Sequence, residues 1–446
     1  MKTMKKIAFI GAGSFGFTRE LVKDILTFDA FKDVKISLMD INEERLNAIE
    51  KAVNKIKAAG QYPCTVEATT DRAKALSGAD GVIITILNGD IGTWRHDIEI
   101  PKKYGVDINV GDTRGPSGIF RFLRTAPVML SICRDIEKYC PDAVVLNYTN
   151  PMAMLCRYLQ QHTKLNITGL CHSVQGTAMM LADWIKADFK DIKYTCAGIN
   201  HQAWYLKFEY KGKDAYPLIK KAIIENFDIY NREIVRNDMF LALDYYVTES
   251  SGHNSEYVQW YRKRPDLIEK YCKYGTGWNP GEHAFILNEY LRREKEWKKD
   301  ITDWLDQKEV NLARGREYAA HIFNAAFGDN TPYQFNGNIR NDGYIGNLPQ
   351  GACVEVPVTV GKGGAMKAEK IGLLPAHLAL INNISAGCEE LAVAALTEGD
   401  LRKVYYAILN DPLTSAVLSL EEIKAMTDEM IHANMPFFAE NKSFRL

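Results

Sequence analysis

A glycine-rich loop between a strand pattern and a helix pattern constrains the fold of this chain more than any other feature. Residues 6–10 form a β-rich run that leads into Gly11-Ala12-Gly13-Ser14-Phe15-Gly16, and residues 18–26 then have a helical pattern. A GxGxxG loop in this position binds the pyrophosphate of a dinucleotide at the amino terminus of the helix. The sequence therefore predicts a dinucleotide-binding α/β domain at the start of the chain.

The three glycines of such a loop have separate roles, and an acidic residue completes the site. Gly11 would make the turn, Gly13 would let the pyrophosphate approach, and Gly16 would let the helix pack on the strand. Asp40 follows the second strand pattern, where its carboxylate can bind both ribose hydroxyls, and no arginine follows it to bind a 2′-phosphate. The predicted cofactor is therefore NAD, bound by Gly11, Ala12, Gly13, Ser14, Phe15, Gly16 and Asp40. The alternative is a plain glycine turn followed by an exposed aspartate.

Strand and helix patterns alternate through the first half of the chain. Further strand patterns lie at residues 34–39, 81–85, 143–147 and 166–170, and helical patterns at residues 71–76, 119–139 and 152–162. Strands separated by helices indicate a parallel sheet with right-handed crossovers. We predict a Rossmann-type doubly wound parallel sheet, like that of the lactate and malate dehydrogenases, in a NAD-binding domain at residues 1–195.

The second half of the chain is predicted to form a mixed α+β, largely helical domain at residues 196–446. Its helical patterns lie at residues 282–305, 315–326, 374–397 and 420–433, and residues 354–360 have a strand pattern. We expect this domain to carry substrate, metal and oligomerisation surfaces. Apolar helix faces of this kind suit a homodimer or a homotetramer.

Composition narrows the class of protein. The net charge of −1 offers no basic surface for nucleic acid or for an anionic membrane. The first apolar run stops at Gly11, too early for a signal peptide, and no stretch reaches the roughly 18 apolar residues of a membrane span. The nine cysteines have no CxxC spacing, which favours reduced thiols in the cytoplasm.

Three polar segments follow apolar runs that have strand patterns. In open α/β sheets, ligands bind beyond the carboxyl ends of the strands. The three segments are residues 147–151 with Asn150, residues 171–174 with Cys171, and residues 199–204 with His201. A lone cysteine or histidine there is usually structural. Together, however, a thiolate and an imidazole make half of a metal coordination shell, although these two lie 30 residues apart in the chain.

Two further polar segments leave alternatives open. Residues 109–121, which include Gly111-Asp112-Thr113, form either a loop that closes over a substrate or an ordinary surface turn after the fourth strand. Residues 244–257 are rich in tyrosine, hydroxyl and carboxylate side chains. Such a composition suits proton transfer, but a surface loop tolerates it equally well.

These residues resemble glycoside hydrolase family 4, the NAD- and metal-dependent glycosidases. The likeness runs from Gly11 to residues 347–349 and covers most of the chain. It is carried by residues 11–14, 111–113, 147–151, 171–174 and 198–201. Within that family, Cys-His-Ser-Val at residues 171–174 is similar to the α-galactosidase group, and so are residues 248–257.

The resemblance implies roles for individual residues. Cys171 and His201 would bind one divalent cation per subunit, usually Mn²⁺, and Asn150 would bind the substrate. His172 stands where some members have an acidic aspartate, so it is the expected general acid. The family's base is a tyrosine, and Tyr245 is the expected one. Tyr246 stays an alternative.

One residue departs from the family pattern. Ser117 replaces a glycine that the family usually has in the loop at residues 109–121. We expect this change to alter the flexibility of the loop rather than the chemistry.

The implied reaction is hydrolysis of terminal α-galactosides. The family oxidises the sugar at C3 with NAD⁺, removes the C2 proton, eliminates the aglycone, adds water and re-reduces C3, in place of the two-carboxylate mechanism. The alternatives are an α-glucosidase or an α-galacturonidase of the same family, an NAD-dependent 2-hydroxy acid dehydrogenase, and a non-catalytic NAD-binding sensor.

Overall fold

The computed structural model describes residues 4–275 and 280–438. These residues contain the strands β1 (Lys6–Ile10), β2 (Lys35–Met39), β3 (Thr65–Thr69), β4 (Gly81–Ile84), β5 (Val144–Asn147), β6 (Asn166–Gly169), β7 (Ile192–Ile199), β8 (Gln202–Tyr210), β9 (Lys213–Asp214), β10 (Tyr333–Arg340), β11 (Cys353–Val360) and β12 (Met366–Ala368). All twelve belong to one sheet in the order β3-β2-β1-β4-β5-β6-β10-β11-β7-β8-β9, with β12 paired to β11.

Helices cover the sheet. In the described residues they are α1 (Phe15–Leu26), α2 (Glu43–Ala59), α3 (Arg72–Leu76), α4 (Ile91–Lys103), α5 (Gly115–Tyr139), α6 (Met152–His162), α7 (Ser173–Trp184), α8 (Tyr216–Glu225), α9 (Phe227–Arg232), α10 (Ile234–Leu243), α11 (Ser251–Tyr257), α12 (Pro265–Tyr271), α13 (Phe285–Leu305), α14 (Tyr318–Phe327), α15 (Ala376–Glu398), α16 (Arg402–Leu409), α17 (Pro412–Val417) and α18 (Leu420–Phe438). No helix among them is long and apolar enough to cross a membrane.

The first six strands form the predicted doubly wound parallel sheet. Their order, β3-β2-β1-β4-β5-β6, is that of a Rossmann fold, and all five pairings between neighbours are parallel. Alternate residues of β1 face two cores. Ile7 and Phe9 pack with α1, α2 and α14, whereas Ala8 and Ile10 pack with α4, α5 and α6. The predicted fold class is therefore confirmed.

Antiparallel strands extend this sheet into the second half of the chain. The pair β10–β11 lies between β6 and β7, joined by Asn338 opposite Gly169 and by Glu355 opposite Gly198. The expected domain boundary at residue 195 falls inside β7, which forms a hairpin with β8. The division into residues 1–195 and 196–446 therefore stays a proposal.

This hairpin corrects one expectation. Residues 199–204 were expected to end a strand of the parallel sheet, but β7 and β8 are antiparallel and Asn200 and His201 form the turn between them. His201 has φ +62°, a left-handed conformation that a non-glycine residue rarely adopts. The imidazole consequently leaves the sheet at a tight turn rather than at the end of a parallel strand.

Candidate active site

The glycine-rich loop connects β1 to α1, and its backbone passes close to its neighbours. Gly11 and Ala12 both donate their N–H groups to the Met39 carbonyl at 2.9 Å, and Gly13 donates to Asp40 Oδ2 at 2.8 Å. Gly11 has φ +88°, and a Cβ built there would lie 2.5 Å from the Thr85 carbonyl oxygen. These contacts require glycine at Gly11, and they fit a loop whose backbone cradles a pyrophosphate.

The contacts of Gly16 differ from those expected. A Cβ added at Gly16 would meet nothing within 4 Å, so helix packing does not require a glycine there. By contrast, a Cβ at Gly13 would lie 2.7 Å from Asp40 Oδ2. Asp40 is half-buried and also accepts from the Asn42 N–H at 2.9 Å, so it is not a freely exposed aspartate. The close approach depends on Gly11 and Gly13, and the role predicted for Gly16 is wrong.

Cys171 and His201 come together, and Glu249 joins them. A ligand atom from each of the three lies within 4.8 Å of the other two, and all three residues are buried. Cys171 follows β6, His201 forms the β7–β8 turn, and Glu249 precedes α11. We refer to these three residues as the ligand group. A thiol, an imidazole and a carboxylate are donors that fit a divalent transition metal.

The His201 ring is held by hydrogen bonds on one side. Its Nδ1 lies 3.0 Å from Thr113 Oγ1 and 3.3 Å from the Tyr257 hydroxyl, while its Nε2 lies 3.3 Å from Glu249 Oε2. Thr113 Oγ1 donates to Asp112 Oδ1 at 2.6 Å, so it accepts from His201 Nδ1–H. Burial lowers the pKa of His201 to about 4. The neutral ring therefore turns the Nε2 lone pair towards Glu249, as a metal ligand requires.

Asp112 links this ring to the predicted substrate residue. Asn150 donates its side-chain amide to Asp112 Oδ2 at 3.0 Å, so the same carboxylate contacts both Asn150 and Thr113. Burial alone would raise the pKa of Asp112, but the nearby His253 and Arg121 outweigh it and hold this pKa below its usual value. An ionised Asp112 can only accept, which fixes the direction of both hydrogen bonds.

The loop that carries Asp112 is buried. Glu256 accepts the N–H groups of Asn109, Val110 and Gly111 at 2.8–3.0 Å, and Ser117 Oγ donates to the Gly111 carbonyl. The surface-turn alternative for residues 109–121 is therefore wrong. The loop also follows α4 rather than the fourth strand, because α4 had not been predicted. Ser117, which departs from the family pattern, closes the loop through its hydroxyl.

Residues 246–257 of the second polar segment are also buried, around the ligand group, whereas Asp244 is exposed. His253 Nδ1 lies 2.8 Å from Ser250 Oγ and 3.3 Å from Glu249 Oε1, and its Nε2 lies 3.9 Å from Asp112 Oδ1. Asp112, His201 and His253 form a second set whose ligand atoms lie within 4.8 Å of one another. Glu249 thus lies between two histidines, which excludes the surface-loop interpretation of this segment.

Cys171 and His172 have different surroundings although they are adjacent. Burial raises the pKa of the Cys171 thiol well above its ordinary value, and the charges of Glu249 and Glu355 raise it further. The side chain of His172 is 62% exposed, and its Nδ1 lies 3.3 Å from Glu317 Oε1. The hydrogen bond to Glu317 raises the pKa of His172. His172 is thus placed to carry a proton, and Cys171 would lose its proton to solvent when its thiolate binds a cation.

The two candidate tyrosines lie apart from these residues. Tyr246 is fully buried in the core and donates its hydroxyl to Asn237 Oδ1 at 2.9 Å. The half-buried Tyr245 packs against Tyr216 and His377. Within the described residues, no recorded hydrogen bond or ring contact joins either tyrosine to the ligand group. Tyr246 is therefore a core residue, and Tyr245 as the base stays a prediction.

The sequence of each half matches a known family. The profile of "Family 4 glycosyl hydrolase" matches residues 6–187, and that of "Family 4 glycosyl hydrolase C-terminal domain" matches residues 196–414. This chain belongs to glycosyl hydrolase family 4. As a family 4 member it is a glycosidase, which excludes both the 2-hydroxy acid dehydrogenase and the non-catalytic sensor.

Two curated relatives match nearly the whole chain. An α-galactosidase of Rhizobium meliloti (strain 1021) is 36% identical, and the match covers 96% of this chain and 88% of that protein. An α-galactosidase of Bacillus subtilis (strain 168) is also 36% identical, with 98% and 100% covered.

Solved structures resemble the family 4 fold described here. The crystal structure of lplD from Bacillus subtilis has a TM-score of 0.84 at 26% identity and covers 96% of this chain and 99% of that one. A 6-phospho-α-glucosidase from gut microorganisms, solved with NAD and Mn²⁺, has a TM-score of 0.80 at 20% identity and covers 98% and 99%.

Several residues of this family 4 site had no assigned role in the sequence. Glu249, Asp112, Thr113 and His253 all lie in segments that the sequence marked as polar, but their partners are far away in the chain. Glu249 follows Val247, which pairs with Trp204 near the β7–β8 turn. The only sequence signal for these residues was the high density of ionisable side chains in the two polar segments.

Proposed function

We propose that this family 4 glycosidase hydrolyses terminal α-galactosides, with NAD and a divalent cation, Mn²⁺, as cofactors. The observation that carries the proposal is the meeting of Cys171 and His201 beside the substrate candidate Asn150, in a chain with a dinucleotide loop. The 36% identity to two α-galactosidases over nearly the whole chain supports the galactoside specificity. The relative solved with NAD and Mn²⁺ supports the cofactors.

The residues described here divide the work of binding the cofactors. Asp40 offers Oδ1 and Oδ2 to ribose hydroxyls at the end of β2, and the loop from Gly11 to Gly16 would hold the pyrophosphate at the start of α1. Cys171 Sγ and His201 Nε2 would hold the cation. When bound, NAD would accept and return the C3 hydride of the sugar, and the cation would act as a Lewis acid on the C2 and C3 oxygens.

The protein side chains also orient the sugar and move protons. Asp112 holds the amide of Asn150, so its remaining hydrogen-bonding groups can meet a sugar hydroxyl in a fixed orientation. Glu317 faces His172 Nδ1, which leaves Nε2–H to donate to the departing glycosidic oxygen. Oxidation at C3 makes the C2 proton acidic, and Tyr245, chosen from the family resemblance, stays our candidate for removing it, although its ring packs against Tyr216 and His377.

A panel of p-nitrophenyl glycosides tests the specificity. We expect turnover of the α-galactoside, dependent on NAD⁺, Mn²⁺ and dithiothreitol, to exceed turnover of the α-glucoside and the α-galacturonide. The reductant is required because oxidation of Cys171 would remove a ligand. A preference for the α-glucoside or the α-galacturonide would overturn the galactoside assignment.

Isotope exchange tests the chemistry. A substrate labelled with deuterium at C2 should lose the label to solvent during turnover, because the proposed route removes that proton. Retention of all C2 deuterium in the released galactose would exclude the elimination route.

We also propose that the protein works in the cytoplasm as a homodimer or a homotetramer. All nine cysteines are buried free thiols, which fits a reducing compartment. Several large apolar side chains on α15 and just before it are exposed, including Leu373, Leu380 and Ile384. Sedimentation of the purified protein tests the assembly, and a monomer at micromolar concentration would contradict it.

A further inference from the structure

Glu249, the carboxylate of the ligand group, has a defined position in the fold. Thr248 donates its N–H to the Ala203 carbonyl at 2.9 Å, and the Ala203 N–H donates to Thr248 Oγ1 at 3.2 Å. This pairing sets the segment before α11 alongside β8. Glu249 therefore reaches the β7–β8 turn, and its Oε2 lies 3.3 Å from His201 Nε2.

We propose that Glu249 is a third protein ligand of the catalytic cation, together with Cys171 and His201. This proposal rests on the proposed function, because it concerns the same cation. Three protein donors would leave coordination positions of the ion open for substrate oxygens and water. Three protein ligands with open positions are the usual arrangement at catalytic metal ions such as zinc.

The hydrogen bonds of His201 supply an independent argument. Asp112 takes the hydroxyl hydrogen of Thr113, which leaves Thr113 Oγ1 and the Tyr257 hydroxyl, 3.3 Å away, to accept from His201 Nδ1–H. The opposite nitrogen, Nε2, then carries a lone pair. It faces Glu249 Oε2, which is also an acceptor, at 3.3 Å inside the protein. Two buried acceptors at this distance need a positive charge between them, and Cys171 Sγ, within 4.8 Å of both, makes a metal cation shared by all three fit better than a proton.

The backbone conformations of His201 and Glu249 also support the proposal. His201 has φ +62° and Glu249 has φ +68°, a conformation that costs a non-glycine residue roughly 1 kcal/mol or more. Strain of this kind persists only where the surrounding structure imposes it, and it concentrates at functional sites. Here it turns two side chains from different segments towards each other.

The charge of the donor set also suits a dication. A thiolate from Cys171 and a carboxylate from Glu249 together balance a 2+ ion, whereas Cys171 and His201 alone would leave one positive charge. Glu249 Oε1 lies 3.3 Å from His253 Nδ1, so His253 would position the carboxylate while Oε2 binds the ion. We therefore assign His253 as a positioning residue for Glu249.

Metal titration of the full-length protein tests the proposal. Mn²⁺ alone is titrated by calorimetry into metal-free wild-type, Glu249→Ala and Glu249→Gln protein with NAD⁺ present. We expect Glu249→Ala to bind Mn²⁺ about 100-fold more weakly or worse, and Glu249→Gln at least about tenfold more weakly. Glu398→Ala is the matched control, since its carboxylate is exposed and pairs with Lys403, and it should bind Mn²⁺ within about twofold of wild type.

Two further measurements keep the outcomes distinct. Co²⁺-loaded Glu249→Ala should keep the absorption band of charge transfer from the Cys171 thiolate to the metal, but the ligand-field bands of the Co²⁺ ion should change. Co²⁺-loaded Cys171→Ala should lose the charge-transfer band. NAD⁺ affinity and metal-free Tm show that the variants are folded. Wild-type Mn²⁺ affinity in folded Glu249→Ala would overturn the third ligand. Failure of the wild type itself to bind Mn²⁺ would instead overturn the proposed function.

Discussion

Thr113 accepts a hydrogen bond from His201 Nδ1 at 3.0 Å, although the two residues lie 88 positions apart in the chain. Thr113 in turn donates to Asp112, which accepts from Asn150. One chain of hydrogen bonds thus connects a metal-ligand candidate to a substrate-binding candidate. Partners of this kind fix the tautomer and the orientation of a ligating imidazole.

Replacing Thr113 with valine should therefore weaken metal binding. Valine keeps the shape but removes the nearer acceptor for His201 Nδ1–H and leaves only the Tyr257 hydroxyl at 3.3 Å, so the tautomer and orientation of the ring are held less firmly. We expect a roughly 10- to 100-fold loss of Mn²⁺ affinity by calorimetry. Thr113→Ser should restore most of it, because the hydroxyl returns. Equal affinities of the valine and serine variants would contradict the role of the hydroxyl.

Alanine substitutions at Gly13 and Gly16 should have different effects: the first should weaken NAD⁺ binding, and the second should stabilise the protein. In Gly13→Ala the new Cβ would lie 2.7 Å from Asp40 Oδ2, so Asp40 must move and lose its hydrogen bond from the loop. We expect NAD⁺ affinity to fall at least about tenfold, as for loss of a hydrogen bond to a charged group.

Gly16→Ala is the matched comparison. Its Cβ would meet no protein atom within 4 Å, and Gly16 lies in the first turn of α1. Removing a helical glycine should stabilise the protein by roughly 0.5–1 kcal/mol. Thermal unfolding measures this effect, and a lower Tm for Gly16→Ala would show that the packing role of Gly16 had been rejected wrongly.

The ion pair between His172 and Glu317 predicts a pH effect. Glu317 raises the pKa of His172, so the histidine keeps its proton to a higher pH than it would alone. If His172 is the general acid, activity falls as pH rises through its pKa. Glu317→Gln lowers that pKa, and the alkaline limb of kcat/KM should move to lower pH. An unchanged alkaline limb would mean that another group protonates the leaving oxygen.

Glu355 predicts a pH dependence of stability. Burial raises the pKa of this fully buried carboxyl to about 8, and the charge of Glu249 contributes. The folded state then holds a proton that the unfolded state loses at its ordinary pKa of 4.5. This contribution to the free energy of unfolding is complete below pH 4.5 and declines as pH rises towards 8, by at most about 1.4 kcal/mol per pH unit.

Glu355→Gln tests that dependence. Glutamine has almost the same shape and carries no charge, so the stability of the variant relative to wild type should increase between pH 5 and pH 8. Denaturant unfolding of the metal-free proteins at several pH values measures the difference. A difference that stays constant with pH would show that Glu355 is ionised in the folded protein.

Part of this structure can be predicted from the local pattern of apolar and polar residues. The strands β1, β2, β4, β5 and β6 and the glycine-rich loop follow from short-range periodicity, because each of these strands is a buried apolar run flanked by helices. Cys171 and Asn150 were identifiable for the same reason, since each follows a parallel strand. The helices α5, α6, α13 and α15 also lie where their apolar spacing predicts them. The strand β3 was not predicted, because it is a partly exposed edge strand without such a run.

The remainder depends on contacts between distant segments. Nothing local indicates that β10 and β11 insert between β6 and β7, or that Glu249 reaches His201 from 48 residues farther along the chain. The sequence does not distinguish the β7–β8 turn from the end of a parallel strand, because a strand followed by polar residues has the same pattern in parallel and antiparallel sheets. Tyr245 was chosen by likeness of sequence, which carries no information on where its ring packs.

The row Gly169, Asn338, Glu355 and Gly198 crosses four strands, and Cys171 and His201 lie two and three residues beyond its ends. A one-residue slip of β10 against β11 would move one end of the row by roughly 3.3 Å relative to the other, more than a metal–ligand bond tolerates. A cation bound by both residues would therefore be a non-covalent cross-link across the middle of the sheet. Binding of a cation at this site would show that the amino-terminal and carboxyl-terminal halves of the polypeptide have assembled in the correct register.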